Sequence, residues 1–206
     1  MILETVNVGP MQVNCYILAN AEGAQAMIID PGDQAAKIKA VLAKHKLKPA
    51  MVINTHGHYD HIGSDDEFGV CVYVHKLDLP MLVDPKKNLS ASFSTPYKVA
   101  SKIKTLADRE IIKLEDIELE VIYLPGHTPG GIGLLMKKPQ TGIIFTGDTL
   151  FCQGVGRSDL PGGSQQMLEE AIRERLFVLP VDTRVYPGHG SATTIGREKS
   201  NSPFRL

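Results

Sequence analysis

Between residues 56 and 61 the chain reads His-Gly-His-Tyr-Asp-His, which places four side chains able to bind metal within six positions. Such a window restricts how the chain can fold. It follows a short apolar run, residues 51–54, that reads as a buried strand. In extended backbone, side chains two apart lie on one face, so His56 and His58 can bind the same ion. Asp60 and His61 lie just beyond, where residues 59–68 read as a short helix, and can face a second ion beside the first. Imidazole and carboxylate are ligands that zinc, iron and manganese accept. At this chain's own His and Asp frequencies, chance produces the pattern on the order of once in two thousand such chains. It is therefore read as a site, not as scattered surface residues.

Three more candidates occupy the same kind of place. His127 stands in Pro125-Gly126-His127-Thr128-Pro129-Gly130, Asp148 in Thr146-Gly147-Asp148, and His189 in Pro187-Gly188-His189-Gly190. Each lies just after an apolar run that reads as a strand, and each has a glycine beside it that lets the backbone approach closely. Five of the seven histidines thus fall in loops after strands, leaving only His45 and His75 elsewhere.

The wider pattern sets these loops in order. Residues 2–8, 13–19 and 26–30 read as strands. A helix over residues 33–45 follows, capped by Asp33, with Ile38, Val41 and Leu42 on its apolar face. Residues 70–75 read as a strand and 77–82 as a helical turn. Residues 84–101, rich in Lys, Asn, Ser, Thr and Pro, read as a surface excursion, either a flap or an ordinary loop. The second half starts again with strands at 110–114, 117–124, 132–137 and 142–147. A helix over residues 164–178 has Met167, Leu168, Ala171, Ile172 and Leu176 as its apolar face, and residues 184–186 form a last strand. Two successive sets of strands and helix predict two packed sheets with helices outside, in a single domain spanning residues 1–206.

Composition excludes other classes. A chain of 206 residues, 43% hydrophobic and 22% charged, can bury a core without staples. A net charge of -1 provides no broad basic surface for nucleic acid. Residues 1–20 have no basic start, Glu4, Asn7, Pro10, Gln12 and Asn14 interrupt their apolar stretches, and no apolar run reaches spanning length. Neither nucleic acid nor membrane is an expected partner. Cys15, Cys71 and Cys152 are odd in number and form no C-x-x-C pair, which fits reduced thiols in a cytoplasmic protein.

With Gly9-Pro10-Met11-Gln12-Val13-Asn14-Cys15-Tyr16, Asp30-Pro31-Gly32 and Gly156-Arg157-Ser158-Asp159-Leu160-Pro161-Gly162-Gly163, these motifs span nearly the whole chain. Together they resemble the metallo-β-lactamase superfamily and, within it, the short bacterial glyoxalase II-like hydrolases. The resemblance implies an α/β fold, an αββα sandwich with metals at one edge between the sheets. It implies that His56, His58 and His127 hold one divalent metal, that Asp60, His61 and His189 hold a second, and that Asp148 bridges both. Zinc is the first expectation, with iron or manganese as the other choices.

The implied reaction is hydrolysis of a thioester, S-lactoylglutathione or a related acyl thioester, by a hydroxide shared between the metals, with Asp60 also placed to handle a proton. Asp30 is expected either to hydrogen-bond the metal loop or to form the Asp-Pro-Gly turn. Arg157 is expected either to meet substrate or to pair with Asp159. Tyr16, Tyr97, Arg197, Lys199 and Cys152 are further candidates, each with a structural or surface alternative.

Two departures from the family pattern bear on substrate. Ser64 stands where H-x-H-x-D-H-x-G-G has its second glycine, and only residues 190–206 follow His189, where longer glyoxalase II enzymes carry a helical domain that contributes to glutathione binding. The alternative on this fold is a persulfide dioxygenase, an oxidoreductase with one iron on His56, His127 and Asp148. The presence of all seven ligand positions favours the dinuclear hydrolase. β-Lactam hydrolysis fits less well, because Asp148 is absent from the usual lactamase ligand sets and no secretion signal is evident. Nucleic-acid-processing relatives add RNA-binding extensions for which this chain has no evident room.

Overall fold

The strand Val13–Ala19 is buried at all seven positions, which requires apolar cover on both of its faces. The computed structural model describes residues 1–201 and shows where that cover comes from. One sheet contains β1 (Ile2–Val8), β2 (Val13–Ala19), β3 (Gln25–Ile29), β4 (Lys48–Ile53), β5 (Cys71–His75) and β6 (Ile103–Leu106) in that order. It is antiparallel from β1 to β3 and parallel from β3 to β6.

The second sheet is built from β7 (Ile111–Leu114), β8 (Ile117–Tyr123), β9 (Ile132–Lys138) and β10 (Ile143–Gly147), followed after the small hairpin of β11 (Leu150–Phe151) and β12 (Gly154–Val155) by β13 (Arg184–Pro187) and β14 (Thr193–Thr194). Its spatial order is β14-β13-β10-β9-β8-β7. Because β9 is antiparallel to both β8 and β10 while β13 is parallel to β10, strands β8, β10 and β13 all end at the same edge.

The helices are α1 (Ala35–Lys44), α2 (Tyr59–Ile62), α3 (Leu79–Leu82), α4 (Ser90–Phe93), α5 (Gln165–Ala171) and α6 (Ile195–Asn201). Strand alternation then sorts the buried side chains into three apolar layers. Tyr16, Leu18, Met27, Ile29 and Ile53 of the first sheet meet Leu119, Val121, Leu134 and Phe145 of the second. Cys15, Ile17, Ile28 and Val52 point the other way and pack with Ile38 and Leu42 of α1. Ile122, Ile144 and Val185 pack with Leu168 of α5 and with Ile172 and Leu176. Each fully buried aliphatic or aromatic side chain contributes about 1.5–3 kcal/mol of transfer free energy. The predicted αββα sandwich is the observed architecture.

Several local expectations are corrected. Asp33 does not cap α1: its Oδ1 accepts from Gln34 N at 2.6 Å, one residue too early to reach the free N–H groups of the first turn. Gln34 itself takes the left-handed conformation, with φ 49°. The expected helix over residues 164–178 is capped by the Ser164 hydroxyl, but it divides into α5 and a π-helical turn at Ile172–Leu176. Met167 does not join its apolar face and is 42% exposed. Residues 84–101 are more than a surface excursion. They contain α4 and bury Asn88 and Ser90, and Asn88 Nδ2 donates to the carbonyls of Met81 and Tyr97. Edge strand β6, with the sequence Ile-Lys-Thr-Leu, has no counterpart among the predicted elements.

Candidate metal centre

Four strands deliver the candidate residues. The loop after β4 carries His56 and His58 and runs into α2, which supplies Asp60 and His61. The loops after β8, β10 and β13 carry His127, Asp148 and His189. All seven predicted ligands come together at the shared edge. Their donor atoms form three groups, each with its atoms within 4.8 Å of one another: His56, His58 and His127; His56, His61 and Asp148; and Asp60, His61 and His189. Asp148 lies between the outer groups. Its carboxylate oxygens are 3.4 Å from His61 Nε2, 3.6 Å from His127 Nε2 and 3.4 Å from His189 Nε2.

Neighbouring loops leave almost no room for other residues here. A Cβ on Gly188 would collide with Asp148 Oδ1 and lie 2.8 Å from His61 Cε1. Gly147 has φ +48° and packs against the Thr55 side chain, so it turns the chain into Asp148 where a larger residue would clash.

Hydrogen bonds from behind set the direction of the rings. His61 Nδ1 is 3.0 Å from Asp30 Oδ2, His127 Nδ1 is 2.7 Å from the Arg157 carbonyl, and His189 Nδ1 is 2.9 Å from the Met11 carbonyl. Those oxygens can only accept, so each Nδ1 donates and each Nε2 faces the centre. His61 Nε2 and His189 Nε2 then stand 3.3 Å apart. When both rings are neutral, the two lone pairs oppose each other at that distance, and positive charge between them relieves the conflict.

The titration pattern follows the same geometry. Burial and then the charge of His61 push His56 well below the usual imidazole value, and burial holds His58 down at about 3. Burial acts the same way on His61, but Asp148, Asp30 and Asp60 overcome it and raise that ring well above its ordinary value. His189 likewise rises to about 9, where the carboxylates of Asp148 and Asp60, 3.4 and 3.6 Å from its Nε2, outweigh burial. Burial opposes ionisation of Asp60 and Asp148, yet the neighbouring His61 and His189 hold both carboxyls below the usual range.

The donor set fits divalent ions, and two buried atoms support the fit. His56 Nε2 and Asp148 Oδ1 have no hydrogen-bond partner among the described residues. An unsatisfied buried acceptor costs about 1–3 kcal/mol, and a coordinated cation removes that cost.

A stability test follows from the raised histidine. His189 binds its proton more tightly in the folded chain, with a pKa of about 9 against 6.5 in the free side chain. Its contribution is complete below the unfolded value and is lost as pH rises through the folded one. The melting temperature of chelator-stripped protein is expected to fall between pH 6.5 and about 9. Metal-loaded protein should show the opposite slope, because rising pH removes the protons that compete with metal. Thermal melts of both forms across that window check this, and parallel slopes would refute it.

The remaining candidates have distinct places. Asp30 is buried and accepts from Thr55 N and Thr55 Oγ1, both at 2.7 Å, as well as from His61. It therefore hydrogen-bonds the loop that carries the candidate histidines, from backbone in the left-handed region (φ 51°). Arg157 reaches the centre through its carbonyl, while its guanidinium makes two 2.8 Å bonds to Asp159. Tyr16 is buried and its hydroxyl donates to the Pro187 carbonyl at 2.6 Å. Asn14 Nδ2 donates to the Pro187 and Gly190 carbonyls, so these two side chains brace the His189 loop. Tyr97 donates to Asp66, and Lys199 donates to the Phe177 carbonyl. Arg197 lies on α6, and Cys15, Cys71 and Cys152 are free thiols.

The sequence reading missed Asp78, a buried acceptor for Gly57 N, Thr128 Oγ1 and Gly130 N. It also missed the buried Asn54, which donates to Asp65. Neither sits in a pattern that marks it. No helix among the described residues is long and apolar enough to cross a membrane.

Comparison with known proteins agrees with this geometry. A hydroxyacylglutathione hydrolase, GloC, of Haemophilus influenzae is 36% identical over 214 residues, covering 99% of this chain and 98% of the relative. The crystal structure of BLEG-1, a B3 metallo-β-lactamase, superposes with a TM-score of 0.90 at 34% identity, over 98% of this chain and 99% of that one. The crystal structure of TTHA1623 in a di-iron-bound form matches with a TM-score of 0.84, at the same identity and coverage. The model of the metallo-β-lactamase superfamily matches residues 8–189, from the end of β1 to the last candidate ligand, and the chain belongs to that superfamily.

Proposed function

We propose that this protein is a metal-dependent thioester hydrolase acting on S-lactoylglutathione or related acyl thioesters. The observation that carries the reading is the placement of Asp148 between a three-histidine group and an Asp60–His61–His189 group. In this reading His56, His58 and His127 hold one divalent ion, Asp60, His61 and His189 hold the other, and Asp148 is shared. Zinc is the proposed metal, and the di-iron TTHA1623 makes iron the principal rival. Two such ions would supply Lewis acidity and would bring the pKa of a bound water to about 7.

The chain's own residues then orient and exclude. Asp30, Arg157 and Met11 hold the rings from behind, so the ligands are organised before substrate arrives. A cleft of about 290 Å³ opens beside Asp60, with Met11, Tyr59, Phe93, Pro96 and Tyr97 among its walls. Among the described residues its lining contains no Lys or Arg and sets the apolar Met11, Phe93 and Pro96 beside Asp33 and Asp60, so the cleft suits the uncharged acyl part of a thioester better than an anionic group. A thiolate leaving group, with a thiol pKa of about 8.5, needs little proton donation, so the reaction needs no dedicated general acid. The GloC relationship supports the glutathione thioester as the first substrate to try.

The test is steady-state hydrolysis of S-lactoylglutathione, an acyl-CoA, a lactone and a β-lactam, with metal content measured on the same samples. Thioester turnover with kcat/KM of about 10⁴ M⁻¹s⁻¹ or more is expected, lost on chelation and restored by metal. No turnover of any thioester would defeat the proposal. The BLEG-1 likeness makes the β-lactam the informative rival, and preference for it would move the function to lactam hydrolysis. One iron per chain with oxygen uptake on glutathione persulfide would make the protein an oxidoreductase.

A further inference from the structure

Asp78 belongs to none of the metal-binding groups, yet it joins two of the loops that form them. It lies just before α3 and is fully buried. Oδ2 accepts from Gly57 N at 3.0 Å and from Thr128 Oγ1 at 2.7 Å, and Oδ1 accepts from Gly130 N at 2.6 Å. Gly57 separates His56 from His58, while Thr128 and Gly130 follow His127 closely. One carboxylate therefore ties the loop after β4, in the first sheet, to the loop after β8, in the second.

Both loops are drawn in as far as their backbones allow. A Cβ on Gly130 would lie 2.7 Å from Asp78 Oδ1, and one on Gly57 would lie 2.5 Å from Met81 Cβ on α3. The two loops carry the histidines whose ring nitrogens converge as His56, His58 and His127, with His58 Nδ1 only 2.9 Å from His127 Nε2.

We propose that Asp78 is a positioning residue for this three-histidine group. It sets the separation between His127 and the His56–His58 pair, and so the affinity of the group for metal, without touching the metal. The inference rests on reading those three histidines as ligands of one ion.

The chemistry of the three bonds explains why a carboxylate is needed. All three partners donate, two of them from backbone N–H groups that cannot reverse role. A carboxylate offers acceptors on both oxygens, and bonds to an ionised acceptor are roughly twice as strong as neutral ones. An amide in the same place offers one oxygen, so one backbone N–H would face an NH₂ group. The hydroxyl of Thr128 can rotate to accept, but Gly57 N and Gly130 N, on opposite carboxylate oxygens, cannot both be satisfied.

The test is zinc titration of chelator-stripped, full-length protein against a competing chromophoric chelator. Wild type should bind two ions. Asp78→Asn should weaken one of them by about 10–100-fold, the range for residues that orient ligands, and leave the other unchanged. Mutant cycles identify which ion is affected. Adding Asp78→Asn to His58→Ala should change nothing further, whereas adding it to Asp60→Asn should produce the full loss. Thr128→Val removes one donor at nearly constant volume and should weaken the same ion by a smaller factor, while Thr128→Ser restores wild-type affinity. This pair decides the question even if Asp78→Asn fails to fold.

Equal weakening of both ions would overturn the proposal. So would a lower melting temperature of the metal-free variants with both affinities intact. Wild-type protein that binds two ions, with variants that match it, would refute the role of Asp78 alone. Wild-type protein that binds no zinc would instead refute the ligand set on which the role depends.

Discussion

Replacing His58 with alanine is expected to leave the protein folded, remove one metal ion and lower thioester turnover by at least about a hundredfold, beyond the usual range for residues outside the ligand shell. The expectation follows from how His58 is held. The residue is 5% exposed, and its Nδ1 stands 2.9 Å from His127 Nε2. Burial keeps its pKa at about 3, so at neutral pH the imidazole is uncharged and its lone pair is available. Alanine removes that donor and leaves His127 with one neighbour in its group instead of two.

Folding should survive because the loop is secured elsewhere. Asp30 holds Thr55, and Asp78 holds Gly57. Metal analysis and steady-state kinetics on the same preparation check the result, and a His58→Ala protein with full activity would show that the ligand assignment is wrong. In contrast, Arg157→Ala lacks any such expectation, since that side chain is occupied with Asp159 and only its carbonyl reaches His127.

The contrast between these residues shows what a sequence reveals and what it hides. The seven candidate ligands were legible because each sits near glycine at a strand end, and four of them crowd one window. The alternation of strands and helix was legible too, because the two faces of each strand meet different layers. The assignment of His127, Asp148 and His189 to the groups begun by His56–His58 and Asp60–His61 was not readable from spacing. It depends on β8, β10 and β13 ending at one edge, a consequence of long-range pairing.

The bracing residues are hidden for the same reason. Asn14 acts on a loop 173 residues away and Asp78 on one 50 residues away, through long-range hydrogen bonds that leave no local pattern. Strand β6 escaped because two of its four residues are exposed and polar, so periodicity had little to report. The break from α5 into a π-helical turn, whose Ile172 and Leu176 pack in the third apolar layer, was not legible because the apolar spacing continues smoothly through it.

The second large effect is expected at Asp30. Asp30→Asn should lower the stability of the metal-free protein by about 3–5 kcal/mol, the cost of removing one partner from a buried charged pair. It should also weaken metal binding by about 10–100-fold. The substitution is a clean one, because asparagine tolerates the left-handed backbone that Asp30 adopts at φ 51° and occupies nearly the same volume. What changes is the hydrogen bonding. Asp30 accepts from Thr55 N, Thr55 Oγ1 and His61 Nδ1, and its Oδ2 serves both side chains. The asparagine oxygen can face either Thr55 N or His61 Nδ1. In the first case the NH₂ group confronts a ring N–H, and His61 must move its proton to Nε2, the atom that faces the candidate centre. In the second case a buried backbone N–H is left unpaired.

The carboxylate is also one of the charges that hold the His61 proton against burial. Its loss should therefore lower the His61 pKa and flatten part of the fall in metal-free stability as pH rises. Chemical denaturation of stripped protein, zinc competition and melting curves against pH measure the three effects separately. A variant with unchanged zinc affinity would reduce Asp30 to a turn former. A variant with weakened zinc but an unaltered pH profile would show that it orients His61 without setting its charge.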